Sequence, residues 1–138
     1  IKGQRLLDFG SGSGILSIIA AKRGAFRVDA IDNDYNCVEN TNQNVKRNLC
    51  QNINVILDEG LNRINFKYDL IFANINRNVL LKQISDYARA IKLDGLLLIS
   101  GFYKKDVLLI DNKLREFGLK ILELKQTKDW CALKIKND

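Results

Sequence analysis

Leu6-Leu7-Asp8-Phe9-Gly10-Ser11-Gly12-Ser13-Gly14-Ile15-Leu16-Ser17 is the stretch that decides the fold of this chain. It reads as a strand, a glycine turn and the start of a helix, and the apolar run that follows ends on a second acid, Asp32. Glycines at 10, 12 and 14 let the backbone take positive φ and approach a ligand closely, and the helix start aims its free N–H groups at the same place. Taken singly, three glycines make a tight corner and an Asp after a strand caps a helix. Together, in the first βα turn, they read as a site for a nucleotide-type cofactor.

Working outward, apolar runs alternate with helical periodicity along the chain, the pattern of a doubly wound α/β sheet. Strands are predicted at 4–9, 27–32, 53–58, 68–74 and 95–101, and helices at 14–24, 35–49, 76–92 and 104–117. Asp34 is placed to cap the second helix, and Gly24 and Gly118 to end helices. Val79, Leu80, Ile84, Tyr87, Ala88 and Ile91 recur at helical spacing and predict one buried face. Residues 59–67 carry no clear period, so a shortened or missing helix is expected there. Leu119 to Lys125 and Trp130 to Lys136 are β-rich runs joined by the polar turn 126–129, which makes them antiparallel neighbours. The predicted architecture is a seven-stranded, mostly parallel, Rossmann-like sheet with an antiparallel C-terminal hairpin.

Composition narrows the chemistry. At 138 residues and 46% hydrophobic, the chain is one domain with material for a sizeable core. No apolar run approaches a bilayer span and no signal-peptide pattern opens the chain, so a soluble cytoplasmic protein without membrane partners is expected. The chain lacks Met and opens almost directly into a strand, which suggests a piece of a longer protein. It has no His, which excludes an imidazole base, and Cys37, Cys50 and Cys131 have no metal-ligand spacing. No metal is expected, and the cysteines read as buried apolar residues. The net charge of +6 is spread over every segment and carries little information about partners.

The third glycine selects the cofactor. A dinucleotide loop needs glycine at its sixth position, where the two possible frames have Ile15 and Ser17. A P-loop needs a Gly-Lys-Ser/Thr end, also absent. The remaining pattern, Asp-x-Gly-x-Gly-x-Gly, resembles the first motif of class I S-adenosyl-L-methionine-dependent methyltransferases. That resemblance implies that Asp8 and the turn residues Gly10, Ser11, Gly12 and Gly14 hold the methionine end of the cofactor, and that Asp32, with Asn33 beside it, holds the ribose hydroxyls. A carboxylate has the acceptor oxygens a vicinal diol requires. Asp58 or Glu59, after the third strand, would meet the adenine amine, with Asp58 preferred.

Asp69-Leu70-Ile71-Phe72-Ala73-Asn74-Ile75 closes the fourth strand. Ligands of open parallel sheets bind at the carboxyl ends of the strands, so Asn74 falls on the rim that carries Gly10 and Asp32. Its amide is suited to accept a hydrogen bond from a target amine, although an Asn here also closes turns. The run from Asp8 to Ala21, with Ala73-Asn74-Ile75, Ser100-Gly101-Phe102 and Asp129-Trp130-Cys131, is similar to the PrmA family of bacterial ribosomal protein methyltransferases.

That resemblance covers nearly the whole chain. It implies methylation of lysine ε-amines and the α-amine of a ribosomal large-subunit protein, with Asn74 beside the amine in a catalytic role and also touching the cofactor. The chain departs from the family at Tyr35 and at Lys92-Leu93-Asp94-Gly95, where prolines are usual. The resemblance also implies an N-terminal substrate-recognition domain, which is expected to lie outside these residues. Two alternatives stand. A nucleic-acid N-methyltransferase acting on rRNA, tRNA or DNA would suit the charge, but such enzymes typically follow the Asn with Pro-Pro-aromatic rather than Ile75-Asn76-Arg77. A non-catalytic cofactor-binding or scaffold module is the other.

Overall fold

A computed structural model describes all residues, 1–138. Its strands are β1 (Arg5–Phe9), β2 (Arg27–Asp32), β3 (Ile53–Leu57), β4 (Tyr68–Asn74), β5 (Ile91–Tyr103), β6 (Leu119–Thr127) and β7 (Trp130–Asn137). Its helices are α1 (Ile15–Lys22), α2 (Tyr35–Arg47), α3 (Arg77–Ala90) and α4 (Val107–Glu116). The strands form one sheet in the order β3-β2-β1-β4-β5-β7-β6. The first five are parallel, and β7 runs antiparallel to both β5 and β6. The predicted sheet and its closing hairpin are therefore present.

The order in which the chain adds strands reverses between β1 and β4, and a crevice opens there at the carboxyl ends. Alternation along β1 sends Leu7 and Phe9 to one face and Leu6 to the other. The first face meets α3 and α4 through Leu80, Ile84, Tyr87, Ile110 and Leu114, all inaccessible to solvent. Each such aliphatic side chain contributes about 1.5–3 kcal/mol through burial. The opposite face is packed by Ala20 of α1 around Leu6, Val28 and Leu70. No helix fills the connection 58–67. Leu61, wholly buried, and Ile64, partly buried, plug the core from an irregular segment instead.

Several local expectations are corrected. The helix predicted over 76–92 stops at Ala90, and Ile91 already pairs with Tyr68 as part of β5. Residues between Ile91 and Leu96 loop out of register, with Asp94 at φ 62, so the expected turn is an irregularity inside a longer strand. Val79 is exposed and Ala88 only partly buried, since Leu80, Ile84, Tyr87 and Ala90 already fill the contact with the sheet. A 3₁₀ turn over Lys104–Asp106 precedes α4, because Asp106 is drawn inward by other partners. The hairpin strands reach Thr127 and Trp130, which leaves a two-residue loop. Of the cysteines only Cys131 is buried; Cys37 and Cys50 lie on α2 and in the exit from it, both half exposed. Asp34 does cap α2, accepting from Asn36 N at 2.8 Å, and Gly24 and Gly118 follow helices with positive φ.

Candidate cofactor and acceptor site

The glycine turn joins β1 to α1. Gly10, Gly12 and Gly14 have φ of 75°, 57° and 80°, the left-handed region that a Cβ disfavours. The backbone N–H groups of Gly10 and Ser11 both donate to Ile31 O, which ties the turn to the end of β2. Gly12 N donates to Asp32 Oδ2 at 2.9 Å and Asp34 N to Asp32 Oδ1 at 3.0 Å. Each oxygen of Asp32 thus has one lone-pair direction taken and one left over. Asp58 N donates to Asp32 O, so the ends of β2 and β3 are joined directly.

Around this seam lies a cavity of about 210 Å³. Phe9, Ile31, Ile75 and Val79 supply its apolar wall, and Asp32, Asn33, Asp58, Glu59 and Asn76 its polar one. The exposed Val79 belongs to this wall. An apolar enclosure with a few convergent polar groups suits a nucleoside. A Cβ on Gly12 would meet nothing within 4 Å, so the turn has open space in front of it, and the hydroxyl of Ser11 is buried without a partner in the chain. These observations fit the cofactor implied by the sequence motif.

Asp8 lies elsewhere. Its carboxylate is 2% exposed and faces α1, accepting the Ser17 hydroxyl at 2.6 Å. Burial pushes its pKa upward, the Asp32 charge adds to the rise, and the Ser17 hydroxyl and backbone N–H oppose it. Gly14, at the N-terminus of α1, has no side chain with which to cap it, and Asp8 answers one free N–H from the strand side. Asp58 is engaged as well. Arg63 Nε donates to its Oδ2 at 2.7 Å and Gly60 N to its Oδ1 at 3.2 Å; the Arg63 bond above all, with the Gly60 and Glu59 N–H groups, holds its carboxyl below the usual range against the opposing effect of burial. Glu59 lines the same cavity, so both candidates for adenine are adjacent to it.

Asn74 ends β4, paired with Ser100 of β5 and exposed to solvent. It is not part of the cavity wall, which its chain neighbours Ile75 and Asn76 line. A Cβ on Gly101 would fall 3.0 Å from Asn74 Oδ1 and 2.8 Å from Ile75 O, which shows how closely β5 approaches this amide. A second cavity of about 410 Å³ opens beyond Asn76, lined by Arg77, Gly101, Phe102, Tyr103, Lys105, Asp106 and Trp130. Arg77 Nη1 bonds the buried Asp106 at 3.0 Å, and Tyr103 stacks on Trp130 with centroids 4.6 Å apart.

The structure therefore brings Gly10, Ser11, Gly12, Gly14, Asp32, Asn33 and Asp58 to one edge, sets Asn74 beside them and turns Asp8 into the fold. Sequence reasoning missed Ser17, Thr41, Asn44 and Arg63, which shape this edge from behind. Thr41 Oγ1 donates to Gly12 O and Asn44 Nδ2 to Ser13 O, both at 2.9 Å. Their three-residue spacing on an amphipathic helix, and a lone serine within the apolar α1, were the available signals.

Residues 1–138 match the family described as ribosomal protein L11 methyltransferase (PrmA). A ribosomal protein L11 methyltransferase of Porphyromonas gingivalis is 41% identical over 100% of this chain and 48% of its own length. The chain thus spans about half the length of the curated relatives it matches. A crystal structure of ribosomal protein L11 methylase from Lactobacillus delbrueckii subsp. bulgaricus superposes with a TM-score of 0.95 and 30% identity, covering 100% of this chain and 72% of that one. The fold is shared by a putative methyltransferase from Streptococcus mutans solved in complex with SAH, with a TM-score of 0.83, 18% identity, and 99% and 90% of the two chains covered. With the family's pattern matched from Ile1 to Asp138 and the same sheet beneath it, the chain belongs to the PrmA family of ribosomal protein L11 methyltransferases.

Proposed function

We propose that this chain is the catalytic domain of an S-adenosyl-L-methionine-dependent methyltransferase acting on amine nitrogens, lysine ε-amine and N-terminal α-amine, of a ribosomal large-subunit protein. The observation that carries this reading is the Gly12 N to Asp32 bond, which joins the glycine turn to the diol-binding acid on the rim that also bears Asn74. Substrate selection is assigned to a recognition domain outside these residues, and a ribosomal substrate supports a cytoplasmic location. No helix is long and apolar enough to cross a membrane.

S-adenosyl-L-methionine supplies a methyl group on a sulfonium, which departs as a neutral thioether. Asp32 receives the ribose hydroxyls on its free lone pairs, with Asn33 beside it. Asp58, already oriented by Arg63, accepts from the adenine amine. Gly10, Gly12 and Gly14, whose N–H groups are bonded within the chain, would shape the turn around the amino-acid end, the unpartnered Ser11 hydroxyl would be available to it, and Asp8 holds the turn to α1. The acceptor enters from the second cavity. A lysine acceptor, with an ordinary pKa near 10.4, must shed a proton to solvent as it enters, an α-amine less often, and a low-dielectric site beside a cation favours the neutral form. Asn74 Oδ1 accepts one remaining N–H and aims the lone pair along the transfer axis, a positioning role that needs no dedicated base.

Calorimetric titration of the full-length protein with S-adenosyl-L-methionine, followed by methyl transfer to ribosomal protein and to transfer RNA in parallel, tests this. One bound cofactor and label in protein are expected. Absence of binding, or label only in RNA, overturns the reading.

A further inference from the structure

The glycine turn is gripped from the side away from the cofactor cavity. Thr41 is fully buried on α2; its hydroxyl donates to Gly12 O at 2.9 Å. One turn along the same helix face, Asn44 Nδ2 donates to Ser13 O at the same distance. The helix is itself fixed to the site, since its capping residue Asp34 donates its N–H to the carboxylate that receives Gly12 N. Gly12 therefore has its N–H held by β2 and its carbonyl held by α2.

We infer that Thr41 and Asn44 are positioning residues that hold the Gly12 and Ser13 carbonyls on the α2 side and leave the Ser13 N–H as the turn's free donor for the carboxylate at the amino-acid end of the cofactor. The inference rests on the function proposed above. A trans peptide is planar, with its C=O and N–H pointing in opposite directions. Holding Gly12 O against α2 turns the Ser13 N–H to the opposite side, where a ligand carboxylate accepts it. The next peptide has its oxygen on Asn44 and its N–H, that of Gly14, on Ser11 O at 2.8 Å. Both carbonyls that would repel an anion are thereby kept out of the cleft. Without the Thr41 hydroxyl the Gly12–Ser13 peptide is free to rotate, and its oxygen competes for the position a carboxylate requires.

The test compares two ligands on the full-length protein: S-adenosylhomocysteine, which carries the amino-acid end, and methylthioadenosine, which lacks it. Thr41→Val keeps the side-chain shape and removes the donor. It is expected to weaken S-adenosylhomocysteine by about five- to tenfold, the value of one hydrogen bond, and methylthioadenosine by less than about twofold. Thr41→Ser restores the donor and is expected to restore the first affinity even where the lost methyl lowers the melting temperature. Asn44→Ala, at a half-buried position, is expected to show a smaller loss of the same selectivity and serves where Thr41→Val does not fold. Unchanged S-adenosylhomocysteine affinity in the variants, equal weakening of both ligands, or no rescue by serine overturns the inference while wild-type binding stands. Failure of the wild type to bind either ligand overturns the proposed function as well.

Discussion

The rim of the sheet has two unlike halves. On the β1–β2–β3 side, nearly every polar group is already held by another. Asp32 takes two backbone N–H groups, α2 takes two turn carbonyls, and Arg63 bridges Asp58 and the Leu57 carbonyl. On the β4–β5–β7 side, Asn74 stands exposed, and Tyr103 and Trp130 stack in solvent at 43% and 52% exposure. One half is held together by bonds within the chain and the other stands open; on the proposed function the first takes the cofactor and the second the acceptor. A cofactor common to every turnover suits a preorganised cradle, because ordering costs are met in folding rather than in binding. An acceptor that must enter and leave does not.

The largest expected effect falls on the rigid half. A Cβ on Gly14 would sit 2.6 Å from Thr41 Cγ2 at φ 80°, whereas one on Gly12 meets open space. Gly14→Ala is therefore expected to cost about 2–4 kcal/mol from strain and overpacking, and Gly12→Ala only the backbone part, about 1–2 kcal/mol. Denaturant unfolding of both variants checks this, and equal losses would mean that the turn yields more than its hydrogen bonds suggest. Next, Asp32→Ala is expected to weaken cofactor binding by on the order of a hundredfold, since it removes charged acceptors from the diol and releases Gly12 N and Asp34 N together. Calorimetry measures it.

Asn74→Ala probes the open half. Slowing of methyl transfer by on the order of a hundredfold with cofactor affinity within about twofold is expected, the signature of an acceptor-positioning group. A large loss of cofactor affinity with normal turnover would erase the distinction between the halves. The smallest effect concerns Asp58. Its carboxyl lies below the ordinary 3.8 because Arg63 and neighbouring N–H groups favour the charged form. The resulting stability is present above about pH 3.8 and is lost as pH falls through the lower folded value. Arg63→Ala should cost less than about 1 kcal/mol at neutral pH for so exposed a pair, and less in strong acid, where only the bond to the Leu57 carbonyl is left to lose; denaturant unfolding at the two pH values measures it. An undiminished loss in acid would show that the Asp58 pair contributes nothing.

Legibility in the sequence followed the range of the interactions. The glycine turn, Asp32 at the end of β2, the cap at Asp34 and the sheet class were readable because local backbone geometry and alternation at spacings of two and 3.6 fix them. The same local logic misplaced the start of β5, where pairing of Ile91 with Tyr68 overrode a turn-like tetrapeptide. It also assigned Val79 to the core, although packing leaves it on the cavity wall.

By itself the sequence determined the strand–turn–helix that opens the candidate site and the place of Asp32 at the end of the next strand, since alternation fixes the strands and glycines at 10, 12 and 14 admit the positive φ that the turn adopts. Only the tertiary structure decided that Asp8 faces α1 rather than the cavity, that Ile75 lines the cavity while Asn74 does not, and that Thr41 and Asn44 reach 29 and 31 residues back to hold the turn. Contacts between distant segments depend on how helices seat on the sheet, and that is set by side-chain packing across the whole core rather than by any one stretch of chain.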